Sequence, residues 1–339
     1  MVDEFGKDLK VVGSDFRDIL GEDIVRGRMK FPNDVIMPNM LFAKLLGSPH
    51  AHAKIKSIDV SAALKEPGVK AIITADDNSN WDKDITRWGQ EVAAVAAVDE
   101  ATAERALDLI KVDYEVLPFI LNPEDALKPG AINAGVFPDK NTAATPSMTT
   151  RGDVAKGFAE AEVILDEEMP YFYHSHSLNG LQGPNAVAWW VGDHVYGFDD
   201  NQGPIGNNAS NAEIIGVPEG RCHFRVNSGV TGWGGMGQTL EAATAALLAK
   251  KAGVPVAHQR LQRYKSPSRR NHYSPRLKLK IGCKKDGTMT AMQGTWWADG
   301  GANGGAGGYW VWGDTLKCPN VSIETWGIAT NKGISGGYR

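Results

Sequence analysis

Residues 89–118 read GQEVAAVAAVDEATAERALDLIKVDYEVLP, and this stretch decides the first half of the fold. EVAAVAAV (91–98) is a short continuous apolar run, which predicts a fully buried strand. DEATAERALDLI (99–110) follows as a helix, with Asp99 and Glu100 in the first turn, where carboxylates complement the helix dipole. KVDYEVLP (111–118) returns as a strand. Upstream, VKAIITADD (69–77) is β-branched and reads as another strand, and Asp59-Val-Ser-Ala-Ala-Leu64 reads as a short helix with Asp59 as its N-cap. Residues 35–58 mix a proline turn with apolar stretches. The pattern predicts a small α/β domain within residues 1–130.

Residues 128–150 (KPGAINAGVFPDKNTAATPSMTT) carry Pro, Gly, Thr and Asn without period, so 131–150 is expected as a linker. A second domain is expected over 151–339. Its strands are AEVILDEEMPYFY, NAVAWWV, HVYGFDD, CHFRVNSGV, LKLKIG, TMTAMQGTWW and VSIETWGIAT, with a long helix, QTLEAATAALLAKKAG (238–253), stopped by Gly253 and Pro255. The fold class expected is α+β.

At 339 residues the chain is long enough for two domains. Lys plus Arg number 36 against 40 Asp plus Glu, a net charge of −4, so no global field recruits nucleic acid. The start is charged and lacks an apolar signal core, and no run of about 18 apolar residues occurs, so a cytoplasmic protein without membrane insertion is expected. Cys222, Cys283 and Cys318 are too few and too scattered for an iron–sulfur cluster, which usually takes four thiolates. The 39 Gly and 10 Trp crowd towards the second half.

Gly232-Trp233-Gly234-Gly235-Met236-Gly237 formally matches GxGxxG. A dinucleotide fold needs an acidic residue about 20 positions on, and none lies between Glu241 and Asp286. What remains is a tight turn whose glycines let backbone N–H groups approach a ligand. Residues 242–285 hold twelve Lys or Arg and no acid. A solvated basic face or an interface with an acidic subunit explains them, and attraction of an anionic ligand is the alternative. The alternating LKLK favours a wet strand face for Lys278 and Lys280. His174 and His176 share one strand face but have no acid or thiol at ligand spacing beside them.

Taken in order, MLFAKLLGSPHAHAKI, IDVSAALKEPGVKAIITADD, the 89–118 stretch, RGDVAKGFAEAEVILDEE, DDNQGP, the glycine loop and PNVSIETWGIATNKGISGGYR resemble the molybdopterin-binding large subunit of the xanthine dehydrogenase/aldehyde oxidase family, the molybdenum hydroxylases. The resemblance runs from about Arg26 to Arg339 and covers the front half of a typical large subunit. It implies a hammerhead α/β domain followed by the first part of a mixed α+β molybdopterin-binding domain. It also implies molybdopterin, free or as the cytosine dinucleotide, with [2Fe–2S] clusters and FAD on partner subunits.

By position, Gln202 matches the glutamine whose amide hydrogen-bonds an oxygen ligand of the metal. Gly232, Trp233 and Gly234 match the loop whose main chain approaches the metal. Gly337, Tyr338 and Arg339 match the turn that meets the cofactor through its backbone. Met236 and Gly237 stand where purine oxidisers carry a lysine and a glutamate, which argues against xanthine as substrate. Arg270 or His272 falls near the family's substrate arginine. The general-base glutamate belongs beyond Arg339, so the resemblance implies no catalytic base in this chain. The missing half of the molybdopterin subunit, whether a continuation of this polypeptide or a separate chain, is then expected to dock on 232–237 and 300–339. Trp296, Trp297 and Tyr309-Trp310-Val311-Trp312 are candidates to line an apolar channel. A reductive dehydroxylase of an aromatic acyl-CoA and a non-catalytic scaffold are the competing readings.

Overall fold

The computed structural model describes residues 15, 17–77, 81–171, 185–199, 203–226, 240–259, 273–305 and 315–335. From the amino end, α1 (Gly21–Val25) precedes β1 (Leu41–Gly47), β2 (Ala53–Asp59), β3 (Val69–Thr74), β4 (Asp84–Ile85) and β5 (Glu91–Ala97). Next come α2 (Glu100–Asp108), β6 (Lys111–Val116), α3 (Pro123–Ala126), β7 (Ser147–Arg151) and α4 (Val154–Ala159). The remainder is β8 (Val163–Met169), β9 (Asn185–Val191), β10 (His194–Asp199), α5 (Pro204–Ile215), β11 (Cys222–Val226), α6 (Leu240–Ala252), β12 (Val256–Gln259), β13 (Ser274–Cys283), β14 (Met289–Gly301) and β15 (Val321–Ala329).

The strand–helix–strand reading of 89–118 holds. Every residue of β5 is buried. Val92, Ala94 and Ala96 pack in one core with Leu248 and Ala249 of α6, while Ala93 and Val95 pack with Ala106 and Leu107 of α2. Helix α2 starts where the sequence places it, because the Asp99 carboxylate accepts the Thr102 N–H at 2.7 Å. Helix α6 ends at Gly253, whose φ of +71° is the left-handed conformation a glycine stop supplies. The helix expected at Asp59 does not form. Asp59 closes β2, its carboxylate accepts the Ser61 N–H in an Asx-type turn, and only a single 3₁₀ turn follows at Ala63–Lys65.

A seven-stranded sheet runs β11-β10-β9-β12-β1-β5-β3. It crosses the division expected from the sequence, since β1 pairs parallel with β12 (Leu41 opposite Val256, Ala43 opposite His258). Helices α5 and α6 cover one face, and α2 covers the other over β1 and β5. The buried residues of α6 over 242–249 are all Ala, Thr or Leu, and the small side chains let it lie close on β9 and β12. A second sheet, β7-β15-β14-β13-β8, follows on, and β4-β2-β6 form a third.

The segment expected as a linker is a packed, hydrogen-bonded loop. Asn141, buried within it, accepts the Ala134 N–H and donates to the carbonyls of Ala126 and Ile132. Its own carbonyl accepts the Ala329 N–H at the end of β15.

Candidate cofactor-binding site

Strand directions gather the loops. Strands β10, β11 and β12 run parallel to β1, and β9 runs against them. Their connections therefore open at one end of the sheet: β10 stops at Asp199, β11 at Val226 and β12 at Gln259, while β9 starts there at Asn185. Helices α5 and α6 begin at that same end, after the first two of these connections. In sheets of this build, ligands sit beyond the carboxyl ends of the strands. Gln202, Gly232, Trp233, Gly234, Gly237, Arg270 and His272 belong to those connections, and all lie outside the described residues, as do Gly337, Tyr338, Arg339, His174 and His176.

The floor beneath the connections is polar although it is buried. Asp199, Ala186 and His258 form one row across β10, β9 and β12. Asp199 and His258 are buried there, as are Asn185 and Glu241, and the Nδ1 of His258 faces the Glu241 carbonyl at 3.4 Å. On the covering helices, both amide atoms of Asn211 in α5 and the hydroxyl of Thr244 in α6 are buried with no hydrogen-bond partner among the described residues. Buried polar groups are normally hydrogen-bonded, and a polar ligand beyond the strand ends accords with such a floor. None of the three cysteines belongs to a disulfide. Burial, then Asp199 and Glu219, push the Cys222 thiol up to about 11, so it is protonated and weakly nucleophilic at neutral pH.

The second sheet supplies two further stems. Strands β14 and β15 are parallel and end side by side, Gly301 opposite Ala329. Residues 300–305 and 330–335 then fold over each other at a spacing only glycine permits. A Cβ on Gly301 would collide with the Gly333 carbonyl, and one on Gly327 would collide with the Gly304 carbonyl. These stems lead directly into 306–314 and 336–339. Sequence patterning assigns no role to Asp299, Thr330, Asn331 or Lys332. The one available signal is an acid set within the apolar run TWWADGG.

Part of the basic window is neutralised internally. Lys251 pairs with Asp77 at 3.3 Å, Arg276 with Glu168, and Lys278 and Lys280 stand opposite Glu168 and Asp166 on β8. Leu277 and Leu279 are buried while Lys278 is exposed, as the LKLK alternation predicts. A channel lined by both Trp296 and Trp297 is excluded. As neighbours on β14 they face opposite sides, Trp296 packing with Leu277 and Met292, Trp297 with Ile120 and Ile328. Among the described residues, no group of three or more His, Cys, Asp or Glu forms a metal site. His50 packs edge-on against Tyr114, and His52 bonds the Pro118 carbonyl, so both serve the turn after β1.

Residues 26–118 match the aldehyde oxidase and xanthine dehydrogenase a/b hammerhead domain, and residues 136–339 match the molybdopterin cofactor-binding domain. The chain belongs to this family of molybdopterin oxidoreductases. It is 28% identical to a probable xanthine dehydrogenase subunit of Bacillus subtilis, over 94% of this chain and 45% of that protein. It is 26% identical to the nicotinate dehydrogenase large molybdopterin subunit of Eubacterium barkeri, over 98% of this chain and 82% of that one. The chain thus spans under half of the first relative and most of the second. Among solved structures, CO dehydrogenase from Oligotropha carboxidovorans superposes with a TM-score of 0.80 at 25% identity, covering 96% of this chain and 45% of that one. Among the described residues no helix is long and apolar enough to cross a membrane.

Proposed function

We propose that this chain is the cofactor-binding part of a molybdenum hydroxylase that oxidises an aromatic, N-heteroaromatic or aldehyde carbon. The substrate exchanges a C–H bond for a C–OH bond whose oxygen comes from water, releasing two electrons and two protons. The observation that carries this reading is that β10, β11 and β12 end at one edge of the sheet, beside the buried polar residues Asp199, Asn185, Glu241 and His258. Family membership over nearly the whole chain supports it.

When bound, the molybdenum held by the pterin would supply the two-electron redox centre. Around it, the Gln202 amide donates a hydrogen bond and orients the reacting side of the group. Gly232, Trp233 and Gly234 bring main-chain N–H groups close, the glycines doing so without a Cβ in the way. Gly337, Tyr338 and Arg339 offer backbone contacts from the β15 stem. Arg270 or His272 holds an anionic or carbonyl group of the substrate. Gly237 leaves a purine's ring nitrogens and carbonyls without a carboxylate, and each buried unpaired group costs about 1–3 kcal/mol. The general base and the rest of the molybdopterin subunit are supplied from outside residues 1–339, by a continuation of the same polypeptide or by a second chain, and the [2Fe–2S] and FAD centres by partner subunits. The match to a named large molybdopterin subunit over 82% of its length supports the two-chain arrangement. A cytoplasmic location accords with this assembly.

The test is kcat/KM over a panel of xanthine, N-heterocycles, aromatic aldehydes and aryl acyl-CoA esters, measured on the intact complex. Non-purine aromatics are expected to exceed xanthine by about tenfold or more. Xanthine ranking first would overturn the substrate reading, and turnover only of the acyl-CoA ester with a reduced donor would reverse the direction of the reaction.

A further inference from the structure

Asp299 is only 2% exposed at the end of β14. Its Oδ1 accepts the Gly301 N–H at 3.1 Å and the Thr330 hydroxyl at 2.7 Å, and its Oδ2 accepts the Lys332 ammonium at 2.7 Å. Its carbonyl accepts the Ser335 hydroxyl at 3.0 Å. One residue therefore reaches both stems. Three more bonds close the same knot: Ser335 N–H to Gly300 O, Ala302 N–H to Lys332 O, and the Asn303 amide to Ser335 O. Ser335 immediately precedes 336–339, and Gly305 immediately precedes 306–314.

A carboxylate buried this deeply is costly unless it is fully hydrogen-bonded and paired. Apolar side chains of similar volume often fill such a space at no greater cost, whereas this ion pair ties the end of β14 to the segment after β15. We propose that Asp299 is a positioning residue. Through Lys332, Thr330 and Ser335 it fixes the take-off of the segment bearing Gly337, Tyr338 and Arg339 relative to the glycine stem, and so sets how that segment meets the cofactor. The inference rests on the functional reading above and adds to it a residue outside the cofactor's own contacts.

The experiment compares Asp299→Asn, Lys332→Gln and the double variant in the intact complex, with Ile323→Ala as a control from the core of the same sheet. Molybdenum and pterin content, Tm, and kcat per bound metal are read for each. Asp299→Asn is expected to lower metal content or kcat per metal about tenfold, and Lys332→Gln, whose side chain is partly exposed, to act in the same direction by less. The double variant should recover part of the loss, because no ammonium then faces a neutral amide. Ile323→Ala should lower Tm while keeping metal content and kcat per metal. Wild-type metal content and kcat per metal in Asp299→Asn would overturn the inference, and so would an equal loss in Ile323→Ala. Should Asp299→Asn fail to accumulate, the Lys332→Gln result decides alone by the same criteria. A wild-type complex without molybdenum would overturn the functional reading itself, which is a different result from a loaded variant with unchanged kinetics.

Discussion

Asn331→Ala tests how the two family segments are joined. The side chain is buried, and it spans three parts of the chain: Oδ1 accepts the Ile120 N–H at 2.9 Å, and Nδ2 donates to the Thr86 and Ala134 carbonyls at 2.9 and 3.0 Å. Removing it deletes three hydrogen bonds worth about 1 kcal/mol each and strands a buried Ile120 N–H, for a total of roughly 3–5 kcal/mol. The loss should be local as well as global. Hydrogen exchange read by mass spectrometry should show the amide of Ile120 losing protection, alongside a lower urea midpoint. Asn331→Asp should be worse than Asn331→Ala at neutral pH, because it turns an oxygen towards two carbonyls and buries a charge. A loss under about 0.5 kcal/mol for Asn331→Ala, with unchanged exchange at Ile120, would refute the reasoning.

Gln202→Ala should leave metal content intact and lower kcat by roughly tenfold; wild-type turnover at full metal content would remove Gln202 from the site. Gly301→Ala places a Cβ against the Gly333 carbonyl at a φ of +62°, and should cost more than about 1–3 kcal/mol in Tm-linked stability. Cys222 titrates near 9.0 when unfolded and near 11 when folded, so the folded state holds the extra proton across that window. Stability contributed by this thiol is therefore present below pH 9 and is lost as pH rises towards 11; a thiol reagent at pH 8 should modify Cys222 only after unfolding.

Local patterning carries far in this chain. The apolar run at 91–98, the Asp99 cap and the Gly253 stop each act through neighbours a few residues away, and each forms as read. Helix α5 carries a proline at its first position and a left-handed Gly216 as its stop, but PIGNNASNAEII has neither a strong apolar stripe nor a side-chain cap, so its packing on α6 and β11 is not legible in the sequence. The β1–β12 pairing is invisible for a different reason: it joins residues over two hundred positions apart, and no local signal specifies which edge a strand will meet. The candidate site divides along the same line. Glycine spacing and Gln202 are legible as motifs, whereas the buried floor of Asp199, Glu241 and His258 and the Asp299 knot exist only once distant strands align. An acid inside an apolar strand is the one hint, and its partner Lys332 lies across a parallel strand pair.

The most direct measurement is the molybdenum and pterin content of the purified intact complex containing this chain. The account predicts stoichiometric molybdenum with organic pterin, lost together when the protein is unfolded. A folded complex with neither metal nor pterin would contradict it and leave the fold serving as a scaffold.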